Sequence, residues 1–288
     1  ESEKKNLIAT IESELNDKRT YSMNRLLRIL CREDTFGVPR LGEADQVERI
    51  TPQSLYEHYQ KILKTSPIEI FYVGSAEAST VADALMPLLK KLPREPVALL
   101  PQTPFHPCQK QDVVETMDVS QGKLCMGFVT PITNRCADFA AMQILNVIYG
   151  SGMTSKLFVN VREKMSLCYS IGSGYYGTKG ILVVSAGIDF DKEQLTREET
   201  LRQLQLCKDG SITEQELRSA KEALLSSLRG THDSPGAIEG YYATAALSGL
   251  KMDPDAYMQA VDAVTAADVA RVAQTLQLHT VYFLKGVK

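Results

Sequence analysis

The chain has 288 residues, which is enough for two domains of ordinary size, and its side chains are 44% hydrophobic and 23% charged. These proportions are typical of a globular protein and exclude a largely disordered chain. The net charge of −3 gives no indication of a nucleic-acid partner. No apolar run reaches the roughly eighteen residues of a transmembrane helix, so no membrane partner is expected. The chain begins at Glu1 in helix-like sequence without a methionine, and we expect it to be a piece of a longer protein.

The six cysteines are spread along the chain without a C-x-x-C pair, at positions 31, 108, 125, 136, 168 and 207. Most of them lie among apolar neighbours, as buried thiols do. This pattern predicts neither a disulfide framework nor a zinc knuckle. A reducing compartment fits it better, so we expect a cytoplasmic protein.

Hydrophobic residues with helical spacing predict one long helix over residues 3–33. After a loop, a second helix is predicted from Thr51 and Pro52, because threonine caps a helix and proline fits its first turn. The β-rich run from Ile68 to Val73 predicts a strand, and a further helix follows over residues 76–91. A lone strand leaves its backbone groups unpaired, so it needs a partner from missing sequence, from the second domain or from another copy of the chain.

Five prolines between positions 93 and 107 predict a stiff, extended linker. We therefore predict a partial N-terminal domain over residues 1–94, a proline-rich linker over 95–107 and a C-terminal domain over 108–288. The first domain is expected to be incomplete because it supplies only one clear strand.

The C-terminal domain combines strands with long helices. Strands are predicted over residues 110–118, 123–130, 180–188 and 279–284. Helices are predicted over residues 137–149, 192–207, 213–229, 235–248, 254–263 and 265–276. Strands that are grouped with helices on one face make an α+β layer, so we expect a two-lobed α+β fold with an antiparallel or mixed sheet.

The segment from Gly150 to Tyr169 predicts a turn, a helix and then a strand. Gly150 and Gly152 favour a flexible turn, and either Thr154 or Ser155 then offers an N-cap oxygen to a helix. Hydrophobic residues four apart predict its buried stripe: Leu157, Val161 and Met165. From Leu167 onwards the hydrophobic pattern alternates, which predicts a strand.

Arg162 and Tyr169 are the candidate functional residues of this segment. Arg162 lies off the buried stripe of the predicted helix, and Tyr169 follows seven residues later on the predicted strand, so the two side chains can face one pocket. A plainer interpretation also fits the residues, in which Arg162 forms a salt bridge and Tyr169 is a half-buried core residue.

The segment resembles the Arg/Tyr segment in the C-terminal domain of the insulinase/pitrilysin family of zinc peptidases. The residues that carry this resemblance are Gly150, Ser155, Leu157, Phe158, Arg162, Glu163, Leu167 and Tyr169. The resemblance implies that Arg162 and Tyr169 bind the substrate backbone across the cleft from the zinc. In that role the guanidinium donates to carbonyl oxygens, and the phenol donates to a developing oxyanion.

Residues 37–42 and Ile50-Thr51 resemble a recurring loop in the later half of the family's zinc-bearing domain. The resemblance implies that the catalytic H-x-x-E-H helix lies upstream of Glu1. It also places Thr10 where the family has its third zinc ligand, a glutamate, while Glu12 and Glu14 fall on other faces of the helix. We therefore expect no catalytic residue, metal ligand or cofactor in this chain, and zinc only in a missing segment or in a partner.

Three hypotheses for the function follow from the resemblance. The chain can be a non-catalytic, zinc-peptidase-like subunit that forms the substrate-side wall of a peptide-binding chamber, paired with a homologous zinc-bearing subunit or with itself. It can be a fragment of an active zinc peptidase whose H-x-x-E-H helix lies upstream. It can also be a purely structural assembly protein. The first hypothesis, with peptides as the ligand, is the one that we expect.

Overall fold

The computed structural model of the protein describes residues 2–97 and 109–287. The first of these ranges contains helices and a short 3-10 turn at Thr35–Gly37. The helices are α1 (Ser2–Ser13), α2 (Lys18–Leu30), α3 (Ala44–Glu48), α4 (Pro52–Thr65) and α5 (Ala78–Lys90).

The second range contains a sheet and the helices that cover it. The strands are β1 (Gln111–Thr116), β2 (Gly122–Val129), β3 (Cys168–Tyr176), β4 (Ile181–Ile188) and β5 (Gln277–Lys285). The α-helices are α6 (Phe139–Tyr149), α7 (Glu193–Lys208), α8 (Glu214–Arg229), α9 (Pro235–Ser248), α10 (Pro254–Ala263) and α11 (Ala266–Gln274). A π-helix spans Leu157–Lys164.

The sheet of the described residues has the strand order β1-β5-β2-β4-β3. Neighbouring strands are antiparallel except for β1 and β5, which are parallel. The expected α+β fold with a mixed sheet is therefore confirmed. Because β3 pairs with β4 alone, β3 forms one edge of the sheet.

The main core lies between one face of the sheet and the helices of the second range. Helix α6 is apolar on nearly all sides and is almost wholly buried there, as expected for a helix without a polar face. The Tyr149 hydroxyl at its end donates to the carbonyl oxygen of Thr200 in α7 at 3.0 Å, which satisfies a polar atom that is otherwise in an apolar environment. The core residues of α6, α7 and α11 form one continuous cluster with the sheet.

Helix α2 covers the opposite face of the sheet. Leu26 and Leu30 are fully buried against a second apolar cluster that includes Tyr282 of β5. A Cβ atom at Gly127 would lie 3.0 Å from Leu30 Cδ2, so the glycine permits this close approach. The side chain of Glu115 in β1 strengthens the contact, since it accepts hydrogen bonds from Tyr21, Arg25 and Tyr282 at 2.5, 3.1 and 2.9 Å.

The prediction of a single helix over residues 3–33 is wrong. The helix stops at Ser13, and α2 begins only at Lys18. The Asp17 carboxylate accepts hydrogen bonds from the amides of Arg19 and Thr20 at 3.0 and 3.2 Å, so it caps a new helix. Residues 16–20 are all polar, but residues with helical hydrophobic spacing lie on both sides of them, and the two stretches were predicted as one helix.

The predicted strand at Ile68–Val73 is also wrong, because these residues form no strand and stay largely exposed. A strand needs a neighbour to pair with, and the described residues offer none here. Of the predicted linker, only residues 95–97 are described. The amides of Glu95 and Val97 donate to the last carbonyls of α4, those of Lys64 and Thr65, at 2.8 Å.

We expect α4 and α5 to exchange their amide hydrogens much faster than α2 in the monomeric 288-residue chain. No side chain of α4 or α5 is buried, whereas α2 is packed on the sheet. Local opening of an unpacked helix costs almost no free energy, while opening of a core element approaches the global cost of about 5–15 kcal/mol. The expected difference is at least about 100-fold and is measurable by hydrogen–deuterium exchange. Equal protection of the three helices in the monomer would contradict it.

Candidate functional site

Arg162 lies on the π-helix, which follows a turn stabilised by Ser155. Ser155 Oγ donates to the Gly152 carbonyl at 2.7 Å and accepts from the Phe158 amide at 3.3 Å, so Ser155 plays the capping role that the sequence left open between Thr154 and Ser155. The amide of Met165 donates to the carbonyl of Asn160, five residues earlier, at 3.2 Å. Hydrogen bonds of this kind define a π-helix, and π-helices are frequent at functional sites.

The π-helix corrects part of the predicted buried stripe. Leu157 and Val161 are fully buried as predicted, but Met165 is 41% exposed. Met165 lies beyond the helix, which ends at Lys164, so the helical repeat no longer determines which way its side chain faces.

Three contacts fix the guanidinium of Arg162. Its Nε donates to the Tyr169 carbonyl oxygen at 3.0 Å, and its Nη1 lies 3.3 Å from a Glu163 carboxylate oxygen. The guanidinium carbon lies 4.7 Å from the centre of the Phe158 ring, in a cation–π contact. The Arg162 side chain is 38% exposed, and its Nη2 makes no hydrogen bond to any described residue. The arginine is thus held in place with a donor left available.

Tyr169 lies at an irregularity of the sheet edge. Cys168 pairs with Ile188 and Ser170 pairs with Gly187, so Tyr169 is an additional residue between two consecutive pairs, which is a β-bulge. A bulge redirects a side chain, and Tyr169 is 60% exposed. The interpretation of Tyr169 as a core residue is therefore wrong, whereas the salt bridge of Arg162 in that interpretation does exist.

The Tyr169 hydroxyl contacts Asp189, which in turn pairs with Lys192, and the sequence analysis missed both residues. It donates to Asp189 Oδ1 at 2.8 Å, and Lys192 Nζ lies 3.0 Å from Asp189 Oδ2. The hydrogen bond to Asp189 raises the pKa of the Tyr169 phenol, and the same bond together with Lys192 lowers the pKa of the Asp189 carboxyl. The available signal was the position of Asp189, the first polar residue after the predicted strand over residues 180–188.

The residues expected near a zinc site do not converge on a metal. Thr10 Oγ1 donates to the Asn6 carbonyl in its own helix at 2.8 Å, and Glu14 accepts from the side chain of Asn24 at 3.3 Å. Within residues 2–97 and 109–287, no three histidine, cysteine, aspartate or glutamate side chains are grouped as metal ligands. A zinc site needs at least three protein ligands, so the described residues alone do not fit the metal.

A family model described as "Peptidase M16 inactive domain" matches residues 49–224, which is more than half of the chain and includes both Arg162 and Tyr169. The chain belongs to the M16 peptidase family. The resemblance to the insulinase/pitrilysin zinc peptidases is thereby confirmed, and the chain is a metallopeptidase-like member that matches the inactive domain of M16 proteins.

Individual known proteins are similar to this chain over almost its whole length. The "Probable inactive metalloprotease YmfF" of Bacillus subtilis is 30% identical over 99% of this chain and 67% of its own length. The crystal structure of a conserved protein from Enterococcus faecalis matches with a TM-score of 0.88 and 28% identity, over 99% of this chain and 68% of that one. A peptidase M16 inactive domain from Pseudomonas fluorescens has the same fold, with a TM-score of 0.82 at 18% identity over 99% and 69% of the two chains. The chain thus spans about two thirds of the length of these three proteins.

The length and hydrophobicity of the described helices decide whether they can span a membrane, and the pairing of the described cysteines decides whether they form disulfide bonds. None of the helices among residues 2–97 and 109–287 combines the length and the apolar character that a membrane span requires. The described cysteines are free thiols, and all of them except Cys136 are buried.

Proposed function

We propose that this chain is a non-catalytic M16 subunit that contributes the substrate-side wall of a peptide-binding chamber. Zinc would come from a homologous zinc-bearing subunit, or from a segment of the same protein outside this chain. The observation that carries the proposal is the pairing of Arg162 with Tyr169, two exposed side chains that are joined through the Tyr169 carbonyl at 3.0 Å. The free thiols are compatible with a reducing compartment, so we place the protein in the cytoplasm.

The pair suits a peptide backbone because backbones carry alternating donors and acceptors. The Nη2 donor of Arg162 is directed by the cation–π contact with Phe158 and by the hydrogen bond to Tyr169, so little side-chain entropy remains to be lost on binding. The Tyr169 ring adds apolar area at the exposed edge of the sheet. A rigid donor beside a fixed aromatic ring recognises peptides without requiring one particular side chain.

The proposal predicts that Arg162→Ala and Tyr169→Phe reduce peptide affinity more than stability. Both side chains are exposed, so each change should cost on the order of 1 kcal/mol of unfolding free energy at most. Peptide affinity should fall about 5- to 150-fold, which corresponds to about 1–3 kcal/mol for a hydrogen bond in a cleft with little water. Melting temperature and peptide binding, or turnover with the zinc-bearing partner, are measured on the same preparations of the full-length protein.

Two control variants are available, one on the π-helix and one on α9. Lys164→Ala removes a neighbouring exposed cation from the π-helix, and Tyr242→Phe removes the hydroxyl of a second exposed tyrosine. Both controls should keep wild-type peptide affinity. If the Arg162 and Tyr169 variants melt far below the wild type, the pair is structural. If peptide binding is unchanged while folding is intact, the chain is better described as a purely structural assembly protein.

A further inference from the structure

The Tyr169 hydroxyl has only one proton, and Asp189 is the acceptor of the hydrogen bond that uses it. A carboxylate can only accept hydrogen bonds, so the contact of 2.8 Å between Tyr169 Oη and Asp189 Oδ1 uses the phenol proton. Asp189 stays ionised because Lys192 faces its other oxygen at 3.0 Å. The remaining hydrogen-bonding capacity of Tyr169 Oη is therefore its lone pairs, which only accept.

Asp189 also closes a ring of contacts around the candidate site. Lys192 Nζ, which pairs with Asp189, donates to the Ser166 carbonyl at 3.3 Å, directly after the π-helix. Ser166 has a φ of 51°, a conformation that is unusual for residues other than glycine and that turns the chain from the π-helix towards β3. The ring runs from Arg162 to the Tyr169 carbonyl, through the tyrosine side chain to Asp189 and Lys192, and back to the end of the π-helix. It fixes an exposed tyrosine at both its backbone and its hydroxyl.

We propose that Asp189 is the positioning residue of the site, and that it fixes Tyr169 Oη as an acceptor for a peptide N–H group while Arg162 Nη2 donates to a peptide carbonyl. The inference rests on the proposed function for the identity of the ligand. The hydrogen bond from ligand to Tyr169 Oη then runs in the opposite direction to the one implied by the family resemblance, in which the phenol donates to an oxyanion.

The combination of a donor on Arg162 and an acceptor on Tyr169 defines the class of ligand. One donor and one acceptor match one edge of an extended peptide, where the N–H and C=O groups of the same residue point to the same side. A proline at the contacted position has no N–H to give. The site therefore selects extended peptides that carry a secondary amide at this position, largely independently of the side chains.

The first test examines Tyr169 without any peptide. Tyrosine labelled with carbon-13 at Cζ is titrated by NMR in the full-length protein, and the Tyr169 signal is assigned by its absence in Tyr169→Phe. The titration midpoint should fall in Asp189→Ala, because the hydrogen bond to the carboxylate is lost. Lys192 and Asp191 act on the phenol through space in opposite directions, so Asp191→Ala is the control and should shift the midpoint less than Asp189→Ala. An unchanged midpoint in Asp189→Ala overturns the positioning role.

The second test removes peptide N–H groups one at a time. A fluorescein-labelled decapeptide, selected for binding from a random-sequence library, is N-methylated at successive positions. One position should weaken wild-type binding about 5- to 150-fold. Tyr169→Phe and Asp189→Ala should lose this sensitivity, and Asp191→Ala should keep it. If the penalty persists in Tyr169→Phe, the acceptor role is wrong while the peptide function stands. If no peptide binds the wild type, the proposed function fails together with the acceptor role, and the titration still decides whether Asp189 positions the tyrosine.

Discussion

Lys179→Met is expected to lower the free energy of unfolding by about 3–5 kcal/mol, because it leaves a buried carboxylate without its partner. Lys179 Nζ lies 2.9 Å from Asp34 Oδ2, and the two side chains are only 13% and 9% exposed. The pair joins the turn between β3 and β4 to the segment that follows α2. Burial raises the pKa of the Asp34 carboxyl, but the Phe36 amide and Lys179 outweigh it, so the net pKa is lowered. Urea unfolding at neutral pH measures the loss.

Two controls separate burial from charge. Arg49→Met breaks an exposed ion pair with Asp45 in α3 and should cost less than about 1 kcal/mol. The double variant Asp34→Asn/Lys179→Met removes the charge that Lys179→Met leaves unpaired, and asparagine can still accept from the Phe36 amide, so it should recover part of the loss. The prediction is wrong if Lys179→Met costs no more than Arg49→Met.

Glu216→Ala should cost at least as much, about 3–5 kcal/mol, because Glu216 has two structural roles. Its carboxylate lies 2.7 Å from Lys156 Nζ, and the side chains of Glu216 and Lys156 are 24% and 8% exposed. Lys156 directly precedes the π-helix, so this pair attaches the helix that carries Arg162 to α8. Glu216 also completes the capping box at the start of α8, where it accepts from the Thr213 amide at 2.8 Å. Thermal and urea unfolding measure the combined loss.

The capping contribution is measured separately by Thr213→Ala, which keeps the ion pair and should cost about 1 kcal/mol. Burial raises the pKa of Glu216, but Lys156 and the Thr213 amide outweigh it, so the folded pKa lies below its ordinary value. The stabilisation is therefore fully present above about pH 4.3 and is lost as the pH falls through the folded pKa. The difference between wild type and Glu216→Ala should shrink on acidification. If Glu216→Ala loses no more unfolding free energy than Thr213→Ala, the ion pair between Lys156 and Glu216 adds no stability.

Some helix ends could be predicted from sequence because a local capping signal marks them. Helices α9 and α10 begin and end where they were predicted, because Ser234 and Asp253 each cap a helix whose first residue is proline. The break before α2 also depends on a cap, but helical hydrophobic spacing on both sides of the polar residues 16–20 led to the prediction of one helix, so the cap at Asp17 was missed.

The candidate site could be located from sequence, but its geometry could not. Arg162 and Tyr169 were found through their spacing and the family resemblance, and the structure brings them within hydrogen-bonding distance. The alternating pattern of a strand assumes an unbroken ladder, so it did not predict the bulge that exposes Tyr169. Asp189 is distant in sequence from Tyr169, and only the pairing of β3 with β4 brings them together. The same limit applies to α2, whose packing on the sheet depends on residues 90 or more positions away.

The place of β5 in the sheet has a consequence for the order in which the protein folds during its synthesis. β5 comes last among the described strands along the chain, yet it lies between β1 and β2 and carries Tyr282, which packs beneath α2. On the ribosome, β1 has no partner strand and α2 has an unfinished surface until residues 277–285 have emerged. Contacts of such long sequence separation form late because a large loop must close first. The core between α2 and the sheet is therefore completed only after residues 277–285 have been made.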